Sequence, residues 1–396
     1  MTAPLEGILV VDFTRVLSGP YCTMQLADMG ARVIKVEQPG KGDDTRAWGP
    51  PFLNGESAYF LSINRNKESL ALDLKHPEAT HIIDALLARA DVLVENFRPG
   101  TMERLGLGYE SVSRRFPRLV YCAISGFGQT GPRTKEPGYD AVVQAEGGLM
   151  SITGDADGQP FRLGVAISDI ASGMFAAQGI AFALLARERT GKGQLVDVGM
   201  LDATAALLTY QAGIYFATGR TPGRMGNRHP TIVPYETFAA SDGDFVIAVG
   251  NDEQWRRLCA SAELEHLAMD ERFATNRARV TNYSTLRPLL AETLRARTRS
   301  EWVDLLRPAG VPCGSVREVA EVLEDPQLAA RGMIQELEHA VAGKMRVTGV
   351  PIKLSDTPGT VRTPPPALGQ HTTDILARDV GMSPQEIARL RGTGAI

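Results

Sequence analysis

Short apolar runs alternate with helical stretches through the first third of the chain, and this alternation limits the folds that it can adopt. The runs predict strands at residues 8–13, 32–37, 69–74, 91–96 and 119–125. Ser18-Gly19-Pro20 after the first strand is interpreted as a turn. Helices are predicted between strands at 21–29 and 76–89, and Gly30 is placed to end the first of them. Strands buried on both faces form near-continuous apolar runs, and strand–helix–strand units build doubly wound sheets. The sequence therefore predicts an α/β fold with a doubly wound parallel sheet.

The remainder of the chain predicts further helices and a smaller second domain. Two long helices are expected at 171–189 and 200–218, with a short strand at 195–198 between them, and a stretch rich in Gly, Arg and Pro at 219–229 is typical of a linker. Ser383 and Glu386 form a capping box that starts a final helix. The predicted large domain comprises residues 1–224 and 331–396, and the predicted inserted α/β domain comprises residues 225–330.

The composition excludes several classes of protein. A net charge of −4 argues against a nucleic-acid binder, which would carry a basic surface. The four cysteines lack the spacing of a disulfide framework or a zinc site, and the six histidines are dispersed. No apolar run reaches the roughly 18 residues that suggest a membrane span, and the N terminus lacks the pattern of a secretory signal. We therefore expect a cytoplasmic protein with reduced cysteines, no metal site, and no membrane or nucleic-acid partner.

Familiar cofactor and hydrolase motifs are absent, and polar residues follow the predicted strands instead. The GxGxxG fingerprint is missing after the first strand, which disfavours a nicotinamide cofactor, and neither a phosphate-binding P-loop nor a GxSxG elbow occurs. Open α/β sheets bind ligands at the carboxyl ends of their strands. The segments at those ends are Thr14-Arg15, Lys75, Asn96-Phe97-Arg98 and Ser125-Gly126-Phe127-Gly128. Lys75, Arg98 and Arg104 are candidates for holding phosphates, and the alternative for any one of them is a solvated loop charge.

Asp169 is the candidate catalytic residue. It precedes an uncharged stretch, residues 176–186, and a lone carboxylate there is costly to remove from water unless something pairs with it or uses it. Its neighbours, among them Gly164, Ala166 and Gly173, are small and leave room for a bulky electrophile. The alternative is that Asp169 caps the helix that follows, because aspartate is favoured at helix N termini. Taken alone, this stretch leaves both alternatives open.

Motifs distributed along nearly the whole chain resemble those of the family III CoA-transferases. They begin at Asp12 (DFTRVLSGP), Val33 (VIKVE), Gly42 (GDDTR), Asn64 (NRNK), Glu95 (ENFRPG), Gly126 (GFGQTGP), Gly138 (GYDA) and Pro364 (PPPALGQHT). Within this family, the segments that begin at Trp48 and Asn227 most resemble enzymes that use succinyl-CoA and glutarate. Itaconate, malate, oxalate or a sulfinic analogue are the alternative acceptors.

The resemblance implies covalent catalysis by Asp169. The carboxylate would attack the thioester of an acyl-CoA donor, and the reaction would pass through mixed anhydrides and an aspartyl-CoA thioester. Water must be kept out, because it would hydrolyse the anhydrides. The resemblance also implies CoA thioesters as substrates without a tightly bound cofactor, and an interlocked homodimer of chains that each carry a large and a smaller inserted domain.

The resemblance assigns binding residues as well. Those implied for CoA are Val16, Leu17, Leu72, Lys75, Asn96, Phe97, Arg98, Arg104, Tyr139 and Asp140. Those implied for the acid substrate are Arg15, Arg46, Trp48, Gly250 and Asn251, of which the first three are candidates for gripping the far carboxylate of a dicarboxylic acid. Some relatives carry a basic residue at the position of Gln38 or Pro137, and Lys35, Lys41 and Lys135 are the candidates for replacing it. A glycine-rich lid of formyl-CoA enzymes is reduced here to Gly250-Asn251-Asp252, so formyl transfer is not expected.

Two rival functions differ in class. An acyl-CoA racemase of this fold uses a histidine–aspartate pair, but the corresponding triplet here contains Tyr139 beside Asp140. Tyrosine, with a reference pKa of about 10, is a poor proton acceptor at neutral pH. A non-catalytic acyl-CoA carrier is the second rival, and it would have no use for a costly carboxylate in an apolar niche.

Overall fold

Six strands form one parallel sheet within residues 3–396, the part of the chain that the computed structural model describes. Across the sheet their order is Lys67–Ala71, Arg32–Glu37, Leu9–Asp12, Val92–Glu95, Val120–Ser125 and Leu195–Gly199. Every neighbouring pair of these strands is parallel. The strand order reverses between Leu9–Asp12 and Val92–Glu95, which makes this the switch point of a doubly wound sheet. The predicted α/β fold with a large parallel sheet is confirmed.

Helices cover both faces of the sheet because successive strand side chains point to opposite sides. On one face, Val11 belongs to a buried cluster with the helix Ala79–Leu87. On the other face, Val10 belongs to a cluster with the helices Ser18–Asp28 and Ile167–Thr190. Both faces of the sheet are therefore dry, which explains the near-continuous apolar runs in the strands.

The chain divides into two compact units. The first contains the residues up to Leu149, Arg162–Gly213 and Pro326–Ile396, and the second contains Met150–Phe161 and Ile214–Asp325. The predicted linker at 219–229 falls within the second unit. The parallel sheet and every residue implied for CoA lie in the first unit.

The first unit also contains shorter elements. Two antiparallel hairpins pair Phe52–Leu53 with Glu56–Ser57 and Ile334–His339 with Gly343–Thr348. Its further helical segments are Asp44–Ala47, Ala58–Ile63, Thr101–Arg104, Tyr109–Arg115, Asp140–Glu146, Met200–Ala206, Pro326–Ala330, Thr372–Ile375, Leu376–Val380 and Pro384–Gly392. The helices Leu149–Ile152 and Thr209–Thr218 cross from one unit into the other along the chain. The predicted capping box is present at the last helix, where the Ser383 hydroxyl accepts from the Glu386 N–H.

The second unit is built around a three-stranded antiparallel sheet. Its strands lie in the order Cys313–Ser315, Asp244–Ala248 and Tyr235–Ala239. Its helices are Asp252–Ser261, Glu265–Met269, Asn276–Thr281, Tyr283–Leu294, Arg299–Leu306 and Val319–Leu323. Trp255 and Trp302 are fully buried in its core, so this unit has an apolar centre of its own.

Several predicted boundaries were wrong. Ser18-Gly19-Pro20, interpreted as a turn, is the first turn of the helix Ser18–Asp28, where proline is tolerated because the N–H groups there have no intrahelical partner. The helix predicted at 200–218 is two helices, and Thr209 at their junction has a positive φ of 38°. The strand predicted at 69–74 begins earlier, at Lys67, whose side chain is buried against Asp12 at 3.3 Å. The apolar pattern could not predict that Lys67 belongs to the strand, because the aspartate that pairs with this lysine is distant in sequence.

The helix Ile167–Thr190 carries Asp169 and is the longest helix of the described chain. It is long and apolar enough to cross a membrane by length and composition, although the sequence predicted no segment of that kind. Helices packed into protein cores pass the same test, and here Ala176 and Ile180 are fully buried against the sheet and the helix Ser18–Asp28. Other apolar side chains of the helix, including Phe182 and Leu185, are exposed.

Candidate active site

A cavity of about 190 Å³ lies at the carboxyl end of the sheet, at the switch point. The segments after Leu9–Asp12 and Val92–Glu95 form part of its wall, which is where open α/β sheets bind ligands. Its polar lining includes Arg15, Ser18, Asp44, Asn96, Arg98, Ser125, Glu136, Tyr139 and Asp169. This cavity is called the Asp169 cavity below.

The carboxyl group of Asp169 is mostly buried and faces this cavity. Burial raises its pKa to about 7, and the negative charge of Asp140 adds to the rise. The neighbouring hydroxyl and backbone N–H of Ser18 act in the opposite direction and lower the pKa. A carboxyl group with this pKa is deprotonated in a large fraction of molecules at neutral pH and is more basic than an ordinary aspartate, which suits a nucleophile.

Asp169 does not cap its own helix, so that alternative is wrong. The helix begins at Ile167, its N-cap is Ala166, and Asp169 lies within the first turn. The N terminus that Asp169 contacts is that of the neighbouring helix, because Ser18 is the first residue of Ser18–Asp28. A helix N terminus favours a nearby negative charge, which partly offsets the burial of the carboxylate.

Glycines allow close backbone approaches around the cavity. A Cβ atom at Gly173, one turn after Asp169, would lie 2.5 Å from the carbonyl oxygen of Ser18. In the lining of the cavity, a Cβ at Gly126 would lie 2.6 Å from the Cα of Gly138. Any side chain at these positions would push the packed segments apart, so their contact depends on glycine.

A larger cavity of about 890 Å³ adjoins the first, since Arg15 and Phe97 line both. Leu72 and Leu74 contribute apolar surface to it. Its cationic side chains include Lys75 and Arg104. The smaller cavity thus offers the carboxyl group of Asp169, and the larger one offers the positive charges of Lys75 and Arg104.

The loop that carries Arg15 and Val16 is held from two sides. Asn96 makes reciprocal hydrogen bonds with the backbone of Arg15, accepting from its N–H at 2.9 Å and donating to its carbonyl at 2.7 Å. Asp43 accepts from the N–H of Val16 at 3.2 Å, and Lys35 donates to both Asp43 and the carbonyl of Thr14 at 2.8 Å. Val16 has a φ of 68°, which is unfavourable for a β-branched residue and persists because its surroundings impose it.

The structure brings most of the residues implied for CoA to the two cavities. Val16, Asn96, Phe97, Arg98 and Tyr139 line the Asp169 cavity, and Leu72, Lys75, Phe97 and Arg104 line the larger one. Two other residues lie elsewhere. Leu17 is buried in a small apolar cluster with Met24 and Ile63, and both carboxylate oxygens of Asp140 accept protein hydrogen bonds.

The residues implied for the acid substrate are dispersed. Arg15 is half exposed and lines both cavities, with Nη1 3.4 Å from Asp44. Trp48 is exposed and packs edge-on against Tyr59, with ring centroids 5.2 Å apart. Gly250 and Asn251 belong to the second unit, where the Asn251 side chain caps the helix Asp252–Ser261.

Two basic side chains have internal partners in this structure. Arg46 donates to both oxygens of Glu37 at 2.8 Å and stacks on the Phe60 ring at 3.6 Å, and its side chain is 10% exposed. Lys35 is completely buried with Asp43, so it cannot supply the phosphate contact considered for it. Neither pairing could be predicted from the sequence, because nothing in the local pattern marks Glu37 or Asp43 as a partner.

Two residues near Asp169, Ser18 and Tyr59, were missed by sequence reasoning, and Ser125 was placed only at a strand end without a role. Ser18 was interpreted as part of a turn. Tyr59 is partly buried, and burial together with the charge of Asp169 raises the pKa of its hydroxyl to about 12. Ser125 lines the Asp169 cavity, and its buried hydroxyl has no hydrogen-bond partner among residues 3–396. Its position at the end of a predicted strand was the available signal for Ser125.

Comparison with known proteins gives consistent matches over almost the whole chain. The model of the family described as CoA-transferase family III matches residues 5–372. A succinyl-CoA:glutarate CoA-transferase from Homo sapiens is 42% identical over 393 residues, which cover 99% of this chain and 90% of that protein. An acetyl-CoA:oxalate CoA-transferase from Acetobacter aceti is 46% identical over 353 residues, 89% of each chain. The crystal structure of a CAIB/BAIF family protein from Brucella suis superposes with a TM-score of 0.86 at 42% identity, covering 96% of this chain and 100% of that one.

Proposed function

The chain belongs to CoA-transferase family III and is an enzyme with CoA-transferase activity, and from that premise we propose that it transfers CoA from succinyl-CoA to a short dicarboxylic acid such as glutarate, with Asp169 as nucleophile. The observation that carries the proposal is the environment of Asp169. Its carboxyl group faces a small cavity, has a pKa near 7, and is held by Ser18. An ordinary surface aspartate has none of these properties.

The two adjoining cavities suit the shape and charge of an acyl-CoA. Lys75 and Arg104, in the larger cavity, would bind phosphates of CoA, the first as a point charge and the second with forked donors. Leu72 and Phe97 would contact the uncharged parts of the molecule. The thioester would then lie in the smaller cavity beside Asp169.

The reaction proceeds through four exchanges at acyl carbons. An oxygen of the Asp169 carboxylate attacks the succinyl thioester carbon, the C–S bond breaks, and CoA leaves as a thiolate. The thiolate attacks the Asp169 acyl carbon of the resulting anhydride, which releases succinate and leaves an aspartyl-CoA thioester. The acceptor carboxylate attacks this thioester and again releases the thiolate. The thiolate then attacks the acceptor's acyl carbon, which forms the new acyl-CoA and restores the carboxylate.

Arg15 is the best-placed side chain for the second carboxylate of a dicarboxylic acid. It lines the Asp169 cavity, and its guanidinium is only loosely paired with Asp44, at 3.4 Å. Arg46 has its donors directed to Glu37, so it serves the acceptor only if that pair opens. A monocarboxylic acceptor would leave Arg15 without this partner, which is the basis for proposing a dicarboxylic acid.

We also propose that the enzyme works as an interlocked homodimer in the cytoplasm, without a bound cofactor. The exposed apolar side chains Met174, Phe175, Phe182 and Leu185 all lie on the helix that carries Asp169, and a second copy of the chain would cover them. Exposed apolar surface of this kind is typical of interaction sites. Asp169 itself carries the acyl group, so the chemistry needs no further group.

The covalent step provides the decisive experiment. The protein is incubated with succinyl-CoA without acceptor and then with hydroxylamine, which captures an activated carboxyl group, and peptides are mapped by mass spectrometry. We expect a hydroxamate at Asp169, and no hydroxamate and no transfer in Asp169→Ala. In parallel, glutarate, itaconate, malate, oxalate and acetate are offered as acceptors. Transfer by Asp169→Ala would overturn the nucleophile, and a preference for acetate would overturn the dicarboxylic acceptor.

A further inference from the structure

The start of the helix Ile167–Thr190 is capped by a residue from another helix. Its own N-cap, Ala166, has no polar side chain. The N–H of Ser168, one of the donors left without a partner in a first helical turn, donates to Asp140 Oδ1 at 2.9 Å. Asp140 begins the separate helix Asp140–Glu146 and so performs from outside what an N-cap side chain normally does.

Gln144, one turn after Asp140, extends this contact along the segment that leads into the helix. Its side chain is fully buried, and Nε2 donates to Asp140 Oδ2 at 2.7 Å. Its Oε1 accepts from the N–H of Leu163 at 2.9 Å, and Nε2 makes a longer contact of 3.4 Å with the carbonyl of Val165. Asp140 and Gln144 therefore hold the backbone at three points within 163–168.

The side-chain and carbonyl groups of Ser168 are fixed as well. The hydroxyl of Thr204 donates to Ser168 Oγ at 2.8 Å, and the hydroxyl of Ser172 donates to the carbonyl of Ser168 at 2.6 Å. Ser168 directly precedes Asp169, so the orientation of one residue determines where the carboxylate of the next one points. A displacement of about 1 Å at a reacting group can reduce a rate by about a hundredfold.

A direct contact of Asp140 with CoA, as the sequence resemblance implied, fits the structure less well. Both of its oxygens are occupied by Ser168 and Gln144. Tyr139 beside it lines the Asp169 cavity and is exposed, whereas Asp140 faces the packed backbone. The same two hydrogen bonds leave Asp140 poorly placed to accept a proton from a substrate.

We propose that Asp140 and Gln144 are positioning residues that fix the first turn of the helix carrying Asp169, and thereby aim its carboxylate at the bound thioester. This inference rests on the proposed function, because it assigns the aim of a nucleophile. It adds to that function a role for the half-buried Asp140 and the buried Gln144, which line neither cavity.

Paired variants separate positioning from charge. Asp140→Ala removes both acceptor oxygens. Asp140→Asn keeps one oxygen that can accept from Ser168, but it removes the charge and loses the bond from Gln144, because its amide nitrogen is a donor. We expect Asp140→Ala to lower kcat for transfer by about ten- to a hundredfold with KM for succinyl-CoA within about twofold, and Asp140→Asn to lower kcat less than Asp140→Ala does. Gln144→Leu, of similar volume, should follow Asp140→Ala. Ser383→Ala, which removes the cap of the distant helix Pro384–Gly392, controls for loss of a cap alone and should keep wild-type kcat.

Two further measurements do not depend on the size of kcat: the rate of hydrogen exchange, and the pH at which the transfer rate falls. Hydrogen–deuterium exchange of peptides covering 163–172 should quicken in Asp140→Ala and Gln144→Leu, quicken less in Asp140→Asn, and stay near wild type in Ser383→Ala. The acid limb of the pH–rate profile should move to lower pH in Asp140→Asn, because a like charge beside Asp169 is removed. The other titratable groups around Asp169 are Tyr59, Arg15, Asp44, Arg98, Glu136 and Tyr139, and these variants leave them unchanged.

The outcomes distinguish failure of this inference from failure of the proposed function. A raised KM for succinyl-CoA with unchanged kcat in Asp140→Ala would make Asp140 a CoA contact and overturn the inference. Rapid exchange at 163–172 with wild-type kcat would overturn it too, since the orientation of Asp169 would then not depend on its contacts with Asp140 and Gln144. Transfer by Asp169→Ala overturns the proposed function instead, whatever the exchange data show.

Discussion

The carboxyl group of Asp169 lies beside the hydroxyl and the backbone N–H of Ser18, the first residue of the helix Ser18–Asp28, and both groups lower its pKa. The carboxylate of one helix thus lies at the N terminus of another, where the backbone dipoles favour negative charge. Burial and the charge of Asp140 disfavour the ionised form, and the balance of these effects puts the pKa of Asp169 at about 7. The contacts that hold the side chain therefore also keep it ionisable near neutral pH.

The rate of transfer should depend on the protonation of Asp169. Only the carboxylate attacks a thioester, so kcat/KM should fall as the pH falls through about 7. An aspartate with an ordinary pKa would stay active down to about pH 4. The measurement is initial-rate transfer from succinyl-CoA between pH 5 and 9. Ser18→Ala, which removes one donor to the carboxylate, should move the limb to higher pH, and a wild-type limb near pH 4 would contradict this account.

The same pKa predicts a stability effect of Asp169→Asn. From about pH 4 to pH 7 the unfolded chain releases the Asp169 proton while the folded protein retains it, so the wild type loses stability across this window. Asparagine does not ionise and avoids this loss. The variant should therefore be more stable than the wild type at pH 8, by up to about 4 kcal/mol, with the difference disappearing below pH 4. Urea unfolding at both pH values measures it, and an equal difference at both would refute the burial argument.

Gly173 should be needed for the contact between Asp169 and Ser18. A Cβ there would lie 2.5 Å from the Ser18 carbonyl, so Gly173→Ala must push the two helices apart. We expect destabilisation of about 1–3 kcal/mol and a loss of kcat larger than any change in KM. Thermal unfolding and steady-state kinetics test both effects. Gly213→Ala is the matched control, because nothing lies within 4 Å of a Cβ at that helical glycine, and it should leave kcat unchanged.

The parallel sheet could be predicted because its strands are buried on both faces, so each strand is a run of apolar residues in the sequence. Asp169 was singled out for a similar reason, as a charge beside a long uncharged stretch with small neighbours. Its position beside Ser18 was not predictable, because the two residues are far apart in sequence and Ser18-Gly19-Pro20 resembles a turn. Local pattern identified the unusual carboxylate but not what holds it.

Buried ion pairs mark the other limit of sequence reasoning. Lys35, Lys67 and Arg46 all resemble exposed cations or ligand contacts in the sequence. In the fold, Lys67 lies beside Asp12 at 3.3 Å, and Lys35 beside Asp43 at 2.8 Å, all four with buried side chains. A lysine costs too much to bury without such a partner, and only the topology of the sheet shows which carboxylate is within reach.

Arg15 and Arg46 give a prediction that separates substrate binding from structural pairing. Arg15 is half exposed in the Asp169 cavity, whereas Arg46 is paired with Glu37 through two hydrogen bonds and is largely buried. Arg15→Gln should therefore raise KM for glutarate by at least about tenfold with little effect on stability, since its ion pair is exposed. Arg46→Gln should lower the free energy of unfolding by about 3–5 kcal/mol, because it leaves the buried charge of Glu37 without its partner.

Steady-state kinetics with glutarate and with butyrate, together with urea unfolding, distinguish these two effects. Arg15→Gln should raise KM for glutarate and leave KM for butyrate unchanged, because the monocarboxylic acid lacks the group that Arg15 would bind. Arg15→Lys keeps the charge without the forked donors, so its KM for glutarate should lie between those of Arg15→Gln and the wild type. If Arg46→Gln instead folded normally and selectively lost glutarate, the pair with Glu37 would have to open during catalysis. Arg46 would then be the residue that binds the second carboxylate.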